Sequence, residues 1–592
     1  MRFPRLVRRL GATLLLLASA CSAPSADPGD STSAVSGDKS VKPYGLQADE
    51  TPGTTYTLTA EGQRIPIAQF GASFQDVDYA RFEMNGRVTL NVKASAPITN
   101  FQVIPAAAAT ATIDARDRSI LHLTLAGPAN LAIALNFQKR LFLFGYGPEA
   151  NVPVAGAPNV ISATDDAVAA DPNGGELATQ KLQGAIDTLS AQGGGTLVLP
   201  AGIYLSGTLT LKDHVTLYLD PDAVLKGSSN PADYPKDPGF HEQGSDSTLS
   251  DDARFVGQFM TFSRLLLVEG QDVHIRGRGR IDGNGRVLRN LRPNAVPNIV
   301  RVRSSDTVTI EDVLLRDSAA WTLHLLKSTN VTITNVKVIN DRSIISTDGI
   351  DVDSSQHVAI KNAFVYSNDD GVCLKASNNT NLLGPVSDVT VTGSLVSSRS
   401  GAGLKLGTES NADMSSVVFD DADVYDSDRA MSLVVRDGHD MSDVTFKNIR
   451  VRSGVTHLVE QVIGIRATPD NPHPTCADPN QCGTIKNLTF QSITAPAGEF
   501  KRPASNWTWY MQFRPDNPQQ GDPSAKAFQG ALKGQRGSGK SPDSNALTGL
   551  ALIDVDIANV PLKGNGAKQE AEQVANLSID DESVDLDSRC FE

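Results

Sequence analysis

From about residue 56 to residue 148, short segments in which apolar and polar residues alternate follow one another closely. The segments read TYTLT, GRVTLNVKA, ILHLTL, NLAIALN and LFLFGY. Alternation with a period of two is typical of strands that bury one face and expose the other. The pattern therefore predicts a small antiparallel β-sandwich over residues 54–150, which we interpret as an accessory domain.

The next segment has the periodicity of a helix. Leu182, Ala185, Ile186 and Leu189 are spaced at i, i+3, i+4 and i+7, so they would form one apolar face, and glycines at 193–195 would end the helix. A single helix that precedes a long β region is expected to cap the exposed end of its core.

The remainder of the chain repeats. Short units of the form Val-x-apolar recur at Val273, Val308, Val331, Val358, Val389, Val417 and Val444. The last five intervals are 23, 27, 31, 28 and 27 residues, a period that indicates a β-solenoid. A second series of predicted strands lies between these units, and its members can be aligned with one another: AWTLHLL, DGIDVD, DGVCLKA, AGLKLG and AMSLVV. The patterns predict an all-β protein whose residues 151–592 form a parallel β-helix.

Composition agrees with this class. A chain of 592 residues is longer than a domain built around one ordinary hydrophobic core. Its 49 glycines and 32 prolines are typical of strands joined by tight turns. The net charge is -14, and no basic block is interleaved with aromatic residues. These features argue against a nucleic-acid partner.

The N-terminus resembles an export signal. Four arginines within the first nine residues precede an apolar run at 10–17 that is too short to span a bilayer. The small residues before Cys21 resemble a bacterial lipobox, which predicts a lipoprotein-type signal peptide at 1–21 with lipid on Cys21; ordinary cleavage with a free Cys21 is the alternative. Residues 22–53, rich in Ser, Pro, Asp and Gly, are predicted to be a flexible linker. The protein is therefore expected in the periplasm or on the cell surface, touching the membrane only through this anchor.

The other cysteines predict no metal site, because their spacing matches no metal-ligand pattern. In an oxidising compartment, Cys476 and Cys482 are the best candidates for a disulfide. Cys373 lies inside an apolar segment and is predicted to be a buried thiol.

The candidate chemistry lies in two Asp-Gly pairs. Asp348 and Asp370 are 22 residues apart, each opens a segment of the second series, and Asp369 precedes the second pair. Stacking would bring Asp348 and Asp370 to equivalent positions on neighbouring coils, roughly 4.8 Å apart. Asp-Gly is also ordinary turn chemistry, and solenoids do stack polar residues. Two carboxylates at this distance repel, however, and such tension is common in catalytic sites.

Two carboxyl roles are what glycoside hydrolysis requires. One carboxylic acid protonates the leaving oxygen, and in inverting enzymes a carboxylate activates water on the opposite face of the sugar. Asp369 and the pair Asp348 and Asp370 could divide these roles.

At these residues the chain resembles glycoside hydrolase family 28, the polygalacturonase-like family. The resemblance covers about residues 179–453 and includes the ordered blocks VHIRGRGRIDGNG, DSAAWTLHLLKSTNVTITNVKVIN, STDGID and NDDGVCLKA. It implies a right-handed parallel β-helix that hydrolyses pectic or related polysaccharides with inversion and without a cofactor. It also implies Asp369 as general acid, and Asp348 and Asp370 as the bases that activate water.

The chain departs from the family pattern at several positions. Ser346 replaces the Asn before Thr-Asp-Gly, Ala402 stands where Gly-His-Gly has its histidine, and Ser432 and Val434 replace the basic residues of Arg-Ile-Lys. Unsubstituted polygalacturonate is therefore expected to be a poor substrate. The candidates for other sugar contacts are Lys405, Glu409, Arg429 and Arg436. Trp321 would either stack on a sugar or fill the solenoid core.

Three alternatives stay open at this point. A dextranase-like α-glucan hydrolase also couples a β-sandwich to a β-helix with three aspartates. A β-helix polysaccharide lyase would hold calcium with clustered carboxylates and use Arg or Lys as base. A non-catalytic carbohydrate-binding solenoid would release no reducing ends. In each case the expected partner is a polysaccharide and the chain is expected to be a monomer.

Overall fold

The structure is a computed structural model that describes most of the chain from residue 40 onward. The described residues are 40–71, 77–136, 138–235, 263–291, 297–377, 382–435, 437–455 and 483–495, with the backbone of the strands at 457–463, 511–514, 551–557, 573–575, 578–579 and 582–583. The predicted signal peptide with Cys21, the predicted disulfide of Cys476 and Cys482, and Arg436 lie outside these residues. Within the described part, no helix is both long and apolar enough to cross a bilayer.

The segments of alternating residues form a β-sandwich, as predicted. One sheet has seven strands: Ser40–Pro43, Thr51–Pro52, Ala68–Phe70, Val77–Asn85, Phe101–Ile104, Ala129–Leu135 and Leu141–Tyr146. The other has five: Tyr56–Ala60, Gln63–Ile65, Val88–Ala94, Ala109–Ile113 and Ile120–Leu125. Burial alternates along Ile120–Leu125, where Leu121, Leu123 and Leu125 are buried in the core between the sheets.

The sandwich begins earlier than the sequence indicated. The strand Ser40–Pro43 pairs with Val77–Asn85, and Thr51–Pro52 pairs with Ala68–Phe70, so residues 40–53 belong to the sandwich and not to a flexible linker. The physical reason is that Val41 and Tyr44 in this polar stretch are buried. The last sandwich strand ends at Tyr146 and the first solenoid strand, Val160–Ser162, begins after it.

The predicted helix is present as Thr179–Ala191. Its buried residues are the four that the periodicity selects, Leu182, Ala185, Ile186 and Leu189, and all four join the solenoid core. Gly194 and Gly195 follow with positive φ. Two short 3-10 segments, Ala106–Ala108 and Pro231–Asp233, and the helix Gly285–Leu291 complete the helical elements among the described residues.

In the part of the chain that the structure describes, the solenoid is a parallel β-helix made of two sheets. The longer has 23 strands: Val160–Ser162, Asn173–Leu177, Gly195–Leu199, Gly202–Ser206, Val215–Leu219, Ala223–Gly227, Gln271–Gly277, Arg280–Asp282, Asp306–Glu311, Leu314–Arg316, Thr329–Thr334, Lys337–Ile339, Gln356–Lys361, Phe364–Ser367, Val386–Thr392, Leu395–Ser398, Met414–Val424, Met441–Val451, Ile485–Ala495, Ala551–Ile557, Gln573–Ala575, Ser578–Ile579 and Glu582–Ser583. The ten-stranded sheet contains Leu209–Leu211, Arg264–Val268, Asn298–Arg303, Leu323–Leu326, Ile350–Asp353, Val372–Ala376, Ala402–Ser410, Arg429–Val435, His457–Ile463 and Met511–Arg514. The prediction of a right-handed parallel β-helix preceded by a β-sandwich is confirmed.

The repeated valines form one column through the longer sheet. Each pairs in parallel register with the next, from Val273 with Val308 to Val417 with Val444. All seven are buried in the solenoid core. The spacing of these valines in the sequence therefore sets the register in which successive coils pair. A slip of one residue would turn this column of valines out of the core.

The sandwich supports the coil that leads to the candidate site. Phe142 and Phe144 contact the Phe364 ring, with centroids 4.7 and 4.9 Å apart, and Phe142 also lies 5.1 Å from Tyr366. The strand Phe364–Ser367 that carries these partners ends two residues before Asp369. Packing of these three aromatic ring pairs fixes this strand against the sandwich.

Candidate active site

Asp348 and Asp370 lie on neighbouring coils of the ten-stranded sheet. Ile350 pairs with Val372 and Val352 with Leu374, which is the offset of 22 residues that separates the two aspartates. The ladder continues into the turn, where the Gly349 N–H donates to the Asp370 carbonyl oxygen at 2.8 Å. The two Asp-Gly pairs therefore stack on neighbouring coils in the register that the sequence predicted.

Glycine after each aspartate is required by the close approach of successive coils. A Cβ atom at Gly349 would overlap the Gly371 carbonyl oxygen, and one at Gly371 would lie 2.6 Å from the Gly403 carbonyl oxygen. Real Cβ atoms do not approach this closely. The two glycines therefore let the turns stack, and the stacked turns place the aspartates.

Four carboxyl groups meet at this end of the sheet: Asp348, Asp351, Asp369 and Asp370. Asp348 and Asp370 are 3% and 4% exposed and Asp351 is fully buried, while Asp369 is partly exposed. Burial disfavours the ionised form of a carboxyl group, so neighbouring charges decide which of the four can ionise.

Asp370 is held in its ionised form. Its Oδ1 accepts the Ala402 N–H at 2.8 Å, and its Oδ2 accepts the Lys405 ammonium at 2.6 Å. Burial alone would raise the pKa of Asp370, but Lys405 and Lys375 outweigh burial and hold that pKa below its usual value. A buried carboxylate that is ionised near neutrality can act as a general base.

Asp369 has the opposite tendency. Burial, and then the adjacent charge of Asp370, raise the pKa of Asp369 above its usual value. Its Oδ1 accepts the Asp370 N–H at 3.0 Å. A raised pKa on one carboxyl group beside a lowered pKa on the next separates an acid from a base within two consecutive residues.

Lys375 lies between Asp348 and Asp351. Its Nζ is 3.4 Å from Asp348 Oδ2 and 2.9 Å from Asp351 Oδ1. The Trp321 ring covers the same ammonium, with the ring centroid 3.8 Å from Nζ. Trp321 was predicted either to stack on a sugar or to fill the solenoid core. It is buried and belongs to the solenoid core cluster.

The predicted sugar-binding residues are placed differently from one another. Lys405 is engaged by Asp370, and Glu409 is half-buried and acts electrostatically on Lys375 and Lys405. Arg429 pairs in register with Ala402, the position where the family has histidine, and its Nη1 lies 3.2 Å from Asp428 Oδ2.

Cys373 is a free, buried thiol, as predicted. It stands between Asp351 and Lys405 in the register of the ten-stranded sheet and donates to the Gly407 carbonyl oxygen at 3.0 Å. Burial raises the pKa of the Cys373 thiol well above its usual value, so the thiol stays neutral.

Sequence reasoning missed Asp351 and Lys375. Both occupy alternate positions in strands whose other residues, Ile350, Val352 and Leu374, face the core. Polar residues at alternate positions of short, otherwise apolar strands were the available signal, because these side chains must point to the outer face of the sheet.

Residues 251–508 match the model of the family described as glycosyl hydrolases family 28. A probable polygalacturonase of Vitis vinifera is 28% identical over 212 residues, which cover 34% of this chain and 42% of the relative. A polygalacturonase of Ralstonia solanacearum is 24% identical over 394 residues, covering 56% of this chain and 68% of the relative. The chain thus spans less than half of the first relative and about two thirds of the second.

Among solved structures, an exopolygalacturonase of Thermotoga maritima superposes with a TM-score of 0.50 and 16% identity. The match covers 75% of this chain and 97% of that one. This likeness concerns the fold alone. The sequence matches confirm the resemblance to family 28.

Proposed function

Because residues 251–508 match the model of glycosyl hydrolases family 28, we propose that this protein hydrolyses glycosidic bonds in a pectic or related polysaccharide, with inversion at the anomeric carbon. The observation that carries the proposal is the placement of Asp348 and Asp370 on adjacent coils with Asp369 beside them. The pectic class of substrate is supported by the relatives named polygalacturonase.

Each of the three aspartates has a role in this proposal. Asp369, with its raised pKa and partial exposure, donates a proton to the leaving oxygen. Asp370, ionised beside Lys405, takes the proton of the attacking water, and Asp348 contacts the same water. The new C–O bond forms on the face opposite the leaving group, which inverts the anomeric centre.

The residues around Ala402 bear on substrate choice. Neither Ala402 nor Ser432 offers a cationic side chain, and Lys405 is neutralised by Asp370 at 2.6 Å. Arg429 shares its charge with Asp428. We therefore propose a substrate that is less anionic than unsubstituted polygalacturonate, such as an esterified or branched pectic polymer.

The proposed location is outside the cytoplasm, with lipid on Cys21 as the membrane anchor. The support is the arginine-rich start, the apolar run at 10–17 and the small residues before Cys21. In this proposal residues 1–21 are removed or modified on export, and the sandwich and β-helix act outside the membrane as a monomer.

A panel of pectic, algal and α-glucan polysaccharides, assayed for new reducing ends, tests the proposed function. Hydrolysis of a pectic polymer with an inverted first-formed anomer, read by proton NMR, is the expected result. Cleavage of α-glucan alone would favour the dextranase-like alternative, and an unsaturated product absorbing in the ultraviolet would identify a lyase. Retention of a glycan without any new reducing ends would identify a binding solenoid.

A further inference from the structure

The turn that carries Asp369 and Asp370 is held by a buried asparagine. Asn368 is 4% exposed, and its Nδ2 donates to the Arg342 carbonyl oxygen at 2.6 Å. On its other side, Asn368 Oδ1 accepts the Ser400 hydroxyl at 3.0 Å, and the Asn368 carbonyl oxygen accepts the Ser400 N–H at 2.7 Å. Asn368 therefore joins its own turn to the turns of the preceding and the following coil.

The preceding turn, residues 340–349, carries Asp348. The Asn368 N–H donates to Thr347 Oγ1 at 3.4 Å, in the residue directly before that aspartate. The hydrogen bonds of Asn368 thus set the spacing between Asp348 and the proposed acid and base on the next coil. A displacement of about 1 Å at such a site can cost about 100-fold in rate.

The side chain of Arg342 contacts two residues that in turn contact the sandwich. Its guanidinium lies over the Tyr366 ring, 4.5 Å from the centroid, and its Nη2 donates to the Asp426 carbonyl oxygen at 2.6 Å. Tyr366 packs against Phe142 of the sandwich at 5.1 Å. Arg342 therefore receives Asn368 on its backbone, while its side chain is held from the direction of the sandwich.

Arg140 of the sandwich holds Asp426. Its Nε donates to Asp426 Oδ2 at 2.6 Å, and its guanidinium lies 5.0 Å from the centroid of the Tyr425 ring. Arg140 Nη1 also donates to Gln102 Oε1 at 3.3 Å, within the sandwich. Hydrogen bonds between charged groups are stronger than neutral ones, so this ion pair fixes the backbone at Asp426, whose carbonyl oxygen holds Arg342.

We infer that the β-sandwich positions the turn of the proposed acid and base through a relay of four positioning residues: Arg140, Asp426, Arg342 and Asn368. The inference rests on the proposed function. The relay residues act on catalysis only through the aspartates and take no part in proton transfer. The sandwich is then a part of the catalytic scaffold and not a separate binding module.

A second ion pair between the sandwich and the solenoid provides the matched control. Lys226 Nζ lies 2.9 Å from Asp49 Oδ2. The strand of Lys226, Ala223–Gly227, is separated by three successive strand pairings from Lys337–Ile339, the strand that leads into the turn of Asp348. Lys226→Met therefore removes an ion pair of the same kind at a distance from the candidate site.

Kinetics of Arg140→Met test the relay. The variant keeps the aliphatic stem of the side chain and removes the ion pair with Asp426. It should lower kcat about tenfold and change KM by less than about twofold, because misplaced aspartates weaken interactions made in the transition state. Lys226→Met should keep the parent kcat.

The assays are made at a temperature at which circular dichroism shows each variant to be folded. A merely structural role of Arg140 would lower the unfolding temperature and leave kcat at the parent value, and that result would overturn the inference.

A double-mutant cycle tests whether Arg140 acts through Asp426. Arg140→Met and Asp426→Asn break the same contact, so the double variant should lose no more than about twofold in kcat beyond the weaker single variant. Arg140→Lys keeps the charge and should give a kcat between those of the parent and Arg140→Met. Losses that multiply in the double variant would show that the two residues act separately, and would overturn the relay.

Hydrogen exchange tests the relay without catalysis. The Gly371 N–H donates to the Ala402 carbonyl oxygen at 2.8 Å and reports on the turn of residues 368–371. Relative to the amides of the strand Val215–Leu219, this amide should exchange about tenfold faster in Arg140→Met than in the parent, and at the parent rate in Lys226→Met. An unchanged rate in Arg140→Met would overturn the inference whatever the activity. A turn that loosens as expected in a protein that hydrolyses nothing in the panel would instead contradict the proposed function.

Discussion

The Lys405 ammonium lies 2.6 Å from Asp370 Oδ2, in the coil that follows Asp370. The lysine of AGLKLG therefore contacts the proposed base directly. It sets the ionisation of the proposed base, because without Lys405 the burial of Asp370 would favour the protonated form.

Substitution Lys405→Met should move the acidic limb of the kcat/KM profile to higher pH. Asp370 must be ionised to act, its pKa is held low by Lys405, and the loss of that charge raises the pKa. The stability contributed by the ionised Asp370 is present above its unfolded pKa and lost as pH falls through the lower folded pKa. Lys405→Met should therefore also lose stability near neutrality.

The pH–rate profile checks the first effect, and urea unfolding at neutral pH checks the second. Removal of one partner of a buried pair costs about 3–5 kcal/mol. Lys405→Arg should keep the limb near its original pH, and Lys361→Met, an exposed lysine on the longer sheet, is the control for loss of a positive charge. An unmoved acidic limb in Lys405→Met would show that Lys405 does not set the ionisation of the base.

Substitution Asp369→Asn should remove nearly all activity on ordinary linkages, about 100-fold to 10,000-fold, because the leaving oxygen then lacks its proton donor. A substrate whose leaving group needs no protonation, such as an aryl glycoside of low leaving-group pKa, should still be cleaved. Rates on both substrates check the prediction. Full activity on the ordinary linkage would exclude Asp369 as the acid.

Unsubstituted homogalacturonan should be cleaved slowly. Loss of a charged contact to a buried carboxylate costs about 2–5 kcal/mol, which lowers turnover by orders of magnitude. The measurement is kcat/KM on homogalacturonan against methyl-esterified and branched pectins, with a polygalacturonase assayed in parallel. Rates equal to those of that reference enzyme would show that other basic residues bind the substrate carboxylates.

Substitution Gly371→Ala should destabilise the protein and lower its activity. The new Cβ would overlap Val396 and lie 2.6 Å from the Gly403 carbonyl oxygen, so the coils that hold Asp370 must separate. Such overpacking typically costs about 1–3 kcal/mol. Gly184→Ala is the matched control, because its Cβ meets nothing within 4 Å in the helix Thr179–Ala191 and should stabilise by about 0.5–1 kcal/mol. Thermal unfolding of both variants checks the opposite signs.

Substitution Cys21→Ser should release the protein from the membrane fraction into the soluble fraction. Lipid on Cys21 is the only proposed anchor, and its thiol is the group that a lipid would modify. Fractionation of the native host, followed by immunoblotting of both forms, checks this. Equal solubility of the parent and the variant would contradict the tether.

The strands of the sandwich show what a single sequence can miss. Along Val77–Asn85, Ala80, Phe82 and Met84 face the sandwich core, while Val77 and Tyr79 join the aromatic cluster against the solenoid. Burial of both faces removes the alternation by which a strand is recognised. The apolar positions change from one face to the other between Tyr79 and Ala80, and this break in the alternation is the reason that the strand was not predicted.

The sequence by itself determined the register of the β-helix and the stacking of Asp348 on Asp370. In a solenoid each coil pairs only with its neighbours, so the period of buried valines sets the pairing directly. Only the tertiary structure decided the chemistry of the site. The meeting of Lys375 with Asp351 and of Lys405 with Asp370 depends on side chains from different coils turning to one face of the sheet. Ionisation follows from those distances and from burial, which exist only after the coils have stacked.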